Sequence, residues 1–315
     1  MRLFENTNIN FLGKRKIFYI VSLVFIICGF VTLFLFGIPV GIDFQGGTEV
    51  QLKFENSVEI GNIRSIMDNA GFSGMEIKTM GTDKEILLRT PLQAEGQIIA
   101  DRIREAIDKA LPDNKYEVLR IDKVGPKIGA ELRTNAFFAV IFSLIGILVY
   151  LSFRFQLIYA VSAVIGLFHD VFITIAAIAI SSALFPSLGL EFGQTMLAAF
   201  LTLIGFSVND TVVVFDRIRE NIKLYKNEDI EIVMNRSINA TLSRTVITSG
   251  LVFLTVFVLF LFGGEVLRSF SFTFGVGVII GTYSSVFVSG AIVVDWKHKL
   301  MKKSGEKVLK PAFKK

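Results

Sequence analysis

Two aspartates sit inside stretches that otherwise read as membrane-spanning, and an arginine stands at the head of a third. Asp210 follows Asn209 in GFSVNDTVVVFDRIREN (205–221), with apolar residues on both sides and further charge only from Asp216. Asp170 follows His169 inside the apolar run 157–180, and Arg244 lies in SRTVITSG at the head of another. An ionised side chain in hydrocarbon costs about 2.5–3.5 kcal/mol on insertion scales. A partner, water in a cavity or protonation can meet that cost. All three lead to a polar pathway inside a helix bundle, so these residue types suggest a relay for a proton or small cation. The competing reading is structural, with both acids hydrogen-bonded to neighbouring Ser, Thr or Asn.

Depth and helix faces sharpen the relay reading. At about 1.5 Å per residue, Asp210 lies roughly 9–10 Å inside the boundary marked by Asp216 and Arg217. That is too deep for a short side chain to snorkel. His169 and Asp170 lie roughly 18–20 Å from Leu157 by the same rule, near mid-membrane. Gly166, Asp170, Thr174 and Ala177 share one small, polar stripe, and Gly277, Gly281, Ser285 and Ser289 form a ladder suited to close helix packing. Thr241, Arg244 or Thr245, Thr248 and Val252 give a polar edge to a further span. Arg244 either snorkels outward or turns inward to pair with Asp210. His169, on a different face from Asp170, is either a packing or a titrating histidine. Enzymatic chemistry has no support: the only histidines are His169 and His298, there is no P-loop, and no residues cluster in metal-ligand spacing.

The elements that position these groups follow from composition. The chain is 52% hydrophobic with 31 Phe, which points to a membrane protein. Six windows satisfy the spanning criterion: 17–36, 136–153, 157–180, 195–215, 245–262 and 270–294. The first follows a short segment, 1–16, and reads as an uncleaved anchor. Its one cysteine, Cys28, has no partner for an intrachain disulfide. Basic residues fall at Arg2, Lys14, Arg15 and Lys16, after the second and fourth spans, and through the tail 295–315. The positive-inside rule therefore expects both termini in the cytoplasm. The pI near 9.2 needs no nucleic acid to explain it; the tail suits a bilayer surface.

Residues 40–133 are then expected on the outer side. TEVQLKF alternates as a strand, and SVEIGNIRSIMDNAG has helical spacing with Ser57 as a candidate N-cap. MEIKTM and EILLRT read as a hairpin joined by GTDK. AEGQIIADRIREAIDKAL is a second helix and YEVLRIDKVG a last strand. The β-α-β-β-α-β order predicts a ferredoxin-like α+β domain on a six-helix membrane protein. Before it, GIDFQGGT (41–48) places Gly46 and Gly47 where the chain must turn, and Asp43 where it can bind a cation or cap a helix.

Four stretches, GIDFQGGT, VGPKIGAELR (124–133), GFSVNDTVVVFDRIREN and INATLSRTVITSG, resemble the SecF family of bacterial protein export. The resemblance runs over nearly the whole chain. It implies a resistance–nodulation–division-like protein that works with SecD, often with YajC, beside the SecYEG channel. Proton-motive force would then draw unfolded preproteins across the inner membrane after ATP-driven SecA has begun the work. Carried over by position, Asp210 matches the family's proton-path acid and Arg244 its basic partner. Asp43, Gly46 and Gly47 match a motif of structural or conformational role, and His169–Asp170 also fits a family pattern. No cofactor is implied; the coupling ion is H⁺ or Na⁺. Six spans with one polar face need covering by a second half, so a separate partner is expected. A half-subunit of a related small-molecule exporter is the alternative.

Overall fold

The computed structural model describes residues 7–91 and 96–304. Arg2, Lys307, Lys310, Lys314 and Lys315, used above for orientation, lie outside the described residues, as do Ala94 and Glu95 at the head of the second expected helix. In chain order the elements begin with α1 (Arg15–Phe36), α2 (Ile42–Gln45), β1 (Gly47–Phe54), α3 (Ile60–Asn69), β2 (Glu76–Met80) and β3 (Thr82–Thr90). Then come α4 (Gly96–Ala110), β4 (Tyr116–Val124), α5 (Pro126–Arg154), α6 (Leu157–Leu184) and α7 (Gln194–Leu224). The chain closes with α8 (Ile230–Phe262), α9 (Gly264–Ser284), a π-helical turn (Ser285–Ser289) and α10 (Gly290–Ser304). These fall into two compact units. One comprises Met1–Gly37, Val140–Ile180 and Ala198–Lys315, the other Ile38–Ala139 and Ser181–Leu197.

Among the described residues, six helices are long and apolar enough to cross a membrane. Several outrun the apolar windows: α7 continues to Leu224, and α8 begins at Ile230 rather than at 245. Hydropathy marks only the length that can lie in lipid; beyond it the helices continue amphipathically. Ile218, Val233, Met234 and Ile238 stay buried there. Asn221 donates to Ser237 Oγ at 2.8 Å, and Asp229 caps α8 by accepting from the Glu231 amide at 2.8 Å. Arg15, counted above as a membrane-boundary cation, pairs with Glu231 (3.1 Å) and Asp295 (2.8 Å). Small residues set close helix contacts in this unit. A Cβ on Gly29 would fall 2.1 Å from the Ala176 Cβ, and one on Gly166 would fall 2.0 Å from Ser289 Oγ.

In the second unit the four strands form one antiparallel sheet in the order β2-β3-β1-β4, compatible with the expected ferredoxin-like plan. Alternation on β1 sends Val50, Leu52 and Phe54 into a core with Ile63 and Met67 of α3 and Ile99, Ile103 and Ile107 of α4. Ser57 does not cap α3. The N-cap is Glu59, without a side-chain bond, because the helix begins only at Ile60. The expected GTDK loop is shorter than its four residues: Thr82, Asp83 and Lys84 belong to β3, and Gly81, at φ 69°, makes the reversal. Residues 181–197, between the third and fourth spans, also belong to this unit.

Candidate ion-coupling site

Asp210 is 3% exposed on α7. Its Oδ2 accepts from Ser249 Oγ of α8 at 3.0 Å and from Thr282 Oγ1 of α9 at 3.4 Å. The inward face of α8 is therefore Thr241, Thr245 and Ser249, all buried at helical i+4 spacing. This corrects the polar edge drawn through Arg244 and Thr248, which lie about 100° round the helix and are exposed. Arg244 is near enough for its charge to act on Asp210. Among the described residues, however, no carboxylate lies within 4.0 Å of its guanidinium, so the direct pair expected from the sequence is not formed here. Asn209 is exposed and makes no side-chain hydrogen bond among the described residues. A cavity of about 230 Å³ adjoins Thr282 and is lined by Val214, Ile238, Thr241, Thr245 and Tyr283 among others.

Asp170 is 1% exposed and accepts from Ser207 Oγ of α7 at 2.5 Å. His169 was expected to diverge from it. Instead its ring turns back, with Nδ1 3.1 Å from Asp170 Oδ1 and Nε2 2.9 Å from Ser22 Oγ of α1. Side chains at consecutive positions leave a helix about 100° apart, but an imidazole is long enough to bridge that gap. Ser22 Oγ in turn lies 3.1 Å from the Tyr283 hydroxyl of α9. One chain of hydrogen bonds thus joins α9, α1, α6 and α7. The π-helical turn begins two residues after Tyr283. Sequence reading missed Ser22, Ser207, Ser249, Thr282 and Tyr283. Isolated hydroxyls are common in spanning helices, and nothing local marks the ones that meet an acid.

Asp43 caps a helix distant in sequence. Its Oδ2 accepts from the backbone N–H of Gln194, the first residue of α7, at 2.9 Å. A carboxylate there both satisfies an orphan amide and complements the helix dipole. The contact is framed by backbone bonds from Gly41 N to Phe192 O (3.0 Å) and from Phe192 N to Pro39 O (2.8 Å). Asp43→Ala is expected to destabilise this junction by about 0.5–2 kcal/mol. Asp43→Asn should retain most of the cap. Amide exchange at the first turn of α7 reads the difference. Gly47 has φ 132°, and a Cβ there would meet the Thr90 carbonyl at 2.6 Å. Gly47→Ala is expected to cost at least about 1–3 kcal/mol, measured as a fall in the chain's unfolding midpoint.

The model for the C-terminal part of the protein-export membrane proteins SecD/SecF matches residues 103–299, and that for the SecD/SecF GG motif matches residues 31–58. Protein translocase subunit SecF of Calditerrivibrio nitroreducens is 43% identical over 297 residues, covering 92% of this chain and 94% of the relative. SecF of Rhodothermus marinus is 42% identical, covering 94% and 95%. The chain belongs to the SecF family. The crystal structure of SecDF, a translocon-associated membrane protein from Thermus thermophilus, is 37% identical with a TM-score of 0.82. A second SecDF structure, in a super-membrane-facing form, is 35% identical with a TM-score of 0.69. These matches cover 93% and 96% of this chain, which spans only 39% and 40% of the SecDF chains. Membership in the SecF family makes this a multi-pass protein of the bacterial inner membrane and sets aside the small-molecule exporter.

This SecF-family chain also carries a charged cluster on the sheet that the sequence reading did not find. Strand register places Arg89 of β3 directly opposite Glu49 of β1 and Glu76 of β2. The Arg89 side chain is 5% exposed and bonds Glu49 through Nε (2.9 Å) and Nη2 (2.6 Å). It also bonds Glu76 at 3.1 Å and Glu191, from the α6–α7 connection, at 2.5 Å. Lys78 joins both Glu76 (2.6 Å) and Glu191 (3.3 Å). Burial works against the Arg89 charge, but Glu191 and Glu49 outweigh it and raise its pKa. Burial likewise pushes Glu76 up, yet Lys78 and Arg89 hold it below the ordinary range. For Glu49 burial prevails and the pKa is raised.

Proposed function

We propose that this chain is the ion-coupled SecF half of a SecDF accessory machine for Sec protein export, with SecD supplying the half that covers its polar faces. The observation that carries the reading is Asp210. It is a buried carboxylate between α7, α8 and α9, held by two hydroxyls and with no cation in contact among the described residues. Such a group can take up and release H⁺, or share oxygens with Na⁺, at low reorganisation cost. Arg244 stands within electrostatic reach and forms the direct pair in another state of the cycle. Binding that favours one state shifts the population towards it.

The coupling has a continuous mechanical route. Asp210 and the capped Gln194 belong to one helix, about 24 Å apart along its axis. Displacement of α7 is therefore felt at Asp43 and in the GIDFQGG segment leading into β1. Both termini are cytoplasmic and the sheet unit is on the outer side, where it meets an emerging unfolded preprotein. SecYEG is the channel it serves, and YajC is a further member of the assembly. His169 and Asp170 hold α1, α6 and α7 in register around the pathway. Reconstituted translocation with ΔpH and Na⁺ varied independently tests the reading. Late-stage translocation is expected to follow one of the two gradients, and indifference to both would sink it.

A further inference from the structure

The cytoplasm-side ends of α5, α6, α7 and α10 enclose a cavity of about 440 Å³. Arg154, Arg219, Lys223 and Lys297 line it, over an aromatic floor that includes Tyr159 and Phe215. Phe215 is fully buried and packs edge-to-face on Tyr159 at 5.3 Å, so the floor is rigid. The Lys297 ammonium lies 5.1 Å from the centroid of the Tyr159 ring.

Four like charges around one concavity repel each other unless an anion joins them. Arg154 is matched by Asp216 at 2.7 Å. The other three have no carboxylate within 4.0 Å among the described residues; Arg219 reaches only the Arg154 carbonyl, at 3.5 Å. The unmatched charge is thus concentrated on α7 and α10, facing one space. The Tyr159 hydroxyl, buried beside it, has no hydrogen-bond partner among the described residues. Two neighbours fix the level of the site. Phe153 and Leu157 are 90% and 69% exposed, as residues at the edge of the hydrocarbon are. A phosphodiester held here would have its acyl chains beside them.

We propose that this cavity is a binding site for the headgroup of an anionic phospholipid. Basic pockets between spanning helices on the cytoplasmic side recognise such headgroups through charge and donor geometry. The cavity volume lies within the range of sites for small ligands. Arg219, Lys223 and Lys297 supply the donors, Arg154 frames the lipid side, and the aromatic floor excludes water beneath the phosphate. A bound lipid would tie α5, α6, α7 and α10 together at the end of α7 remote from the Asp43 cap.

The full chain in nanodiscs of phosphatidylcholine with phosphatidylglycerol, released for native mass spectrometry, tests this. The unsubstituted chain is expected to retain phosphatidylglycerol. The Lys223→Gln/Lys297→Gln variant should retain it about 30-fold less, since each cation near an anionic surface contributes about fivefold in affinity and the two multiply. Lys223→Arg/Lys297→Arg should keep it, and Lys14→Gln/Lys16→Gln, which leaves the cavity untouched, should match the parent. Equal retention by the Gln variant and its parent overturns the site. Equal stabilisation by inorganic phosphate in phosphatidylcholine alone overturns the lipid assignment and leaves a free-anion site.

Discussion

Asp210→Asn is expected to reduce gradient-driven late translocation sharply while the chain still folds and inserts. Asparagine fills the same volume, and its amide can still meet Ser249 Oγ and Thr282 Oγ1, which now hold the carboxylate. What it lacks is a titratable charge. If ion binding at this position biases the machine by the usual 1–3 kcal/mol of coupling, losing it lowers the gradient-dependent component about 5- to 150-fold. The component that persists without a gradient should be unchanged. In-vitro translocation with imposed ΔpH measures both in one preparation. A variant whose gradient response stays within about twofold of the parent has kept its coupling, and Asp210 is then structural.

The unequal legibility of these groups has a physical origin. The spans were readable because lipid demands about 20 consecutive apolar residues, and the sheet because alternation on β1 separates Val50, Leu52 and Phe54 from Glu49 and Lys53. Asp210 stood out because its surroundings make a carboxylate expensive. Its partners did not. A rotation of one residue on α8 decides whether Arg244 or Thr245 turns inward, and no local signal fixes that rotation. It depends on how α8 packs against α9 and on Ser249 meeting α7. The Asp43 cap was one of two readings open to a lone aspartate, because its helix begins at Gln194, far along the chain. Helix ends past the lipid were also hidden, since hydropathy stops reporting where amphipathic burial takes over.

Arg89 is the most concealed of these residues and carries the second large expectation. In the sequence it closes EILLRT and looks like the polar end of a strand. Its burial depends on Glu191, which arrives from the α6–α7 connection. Arg89→Ala would leave Glu49, Glu76 and Glu191 facing one another, with Lys78 in contact with two of them. Removing one partner of a buried ionic cluster typically costs 3–5 kcal/mol, and that is the fall expected in the stability of the sheet unit. Amide exchange on β1 and β3 in the full chain is the measurement. Lysine should rescue only part of the loss, because Nε, Nη1 and Nη2 serve Glu49, Glu76, Glu191 and the Val40 carbonyl in fixed directions. Adding Glu49→Gln and Glu191→Gln to Arg89→Ala should recover stability, since much of the cost lies in stranded carboxylates rather than in lost attraction. An Arg89→Ala sheet that exchanges like the parent, within about 0.5 kcal/mol, would show the cluster to be well solvated. The expected loss also separates fold from coupling. Residues 185–193 lead directly into α7, so loosening Glu191, which keeps its contact with Lys78, should weaken gradient-driven translocation even where the sheet remains folded.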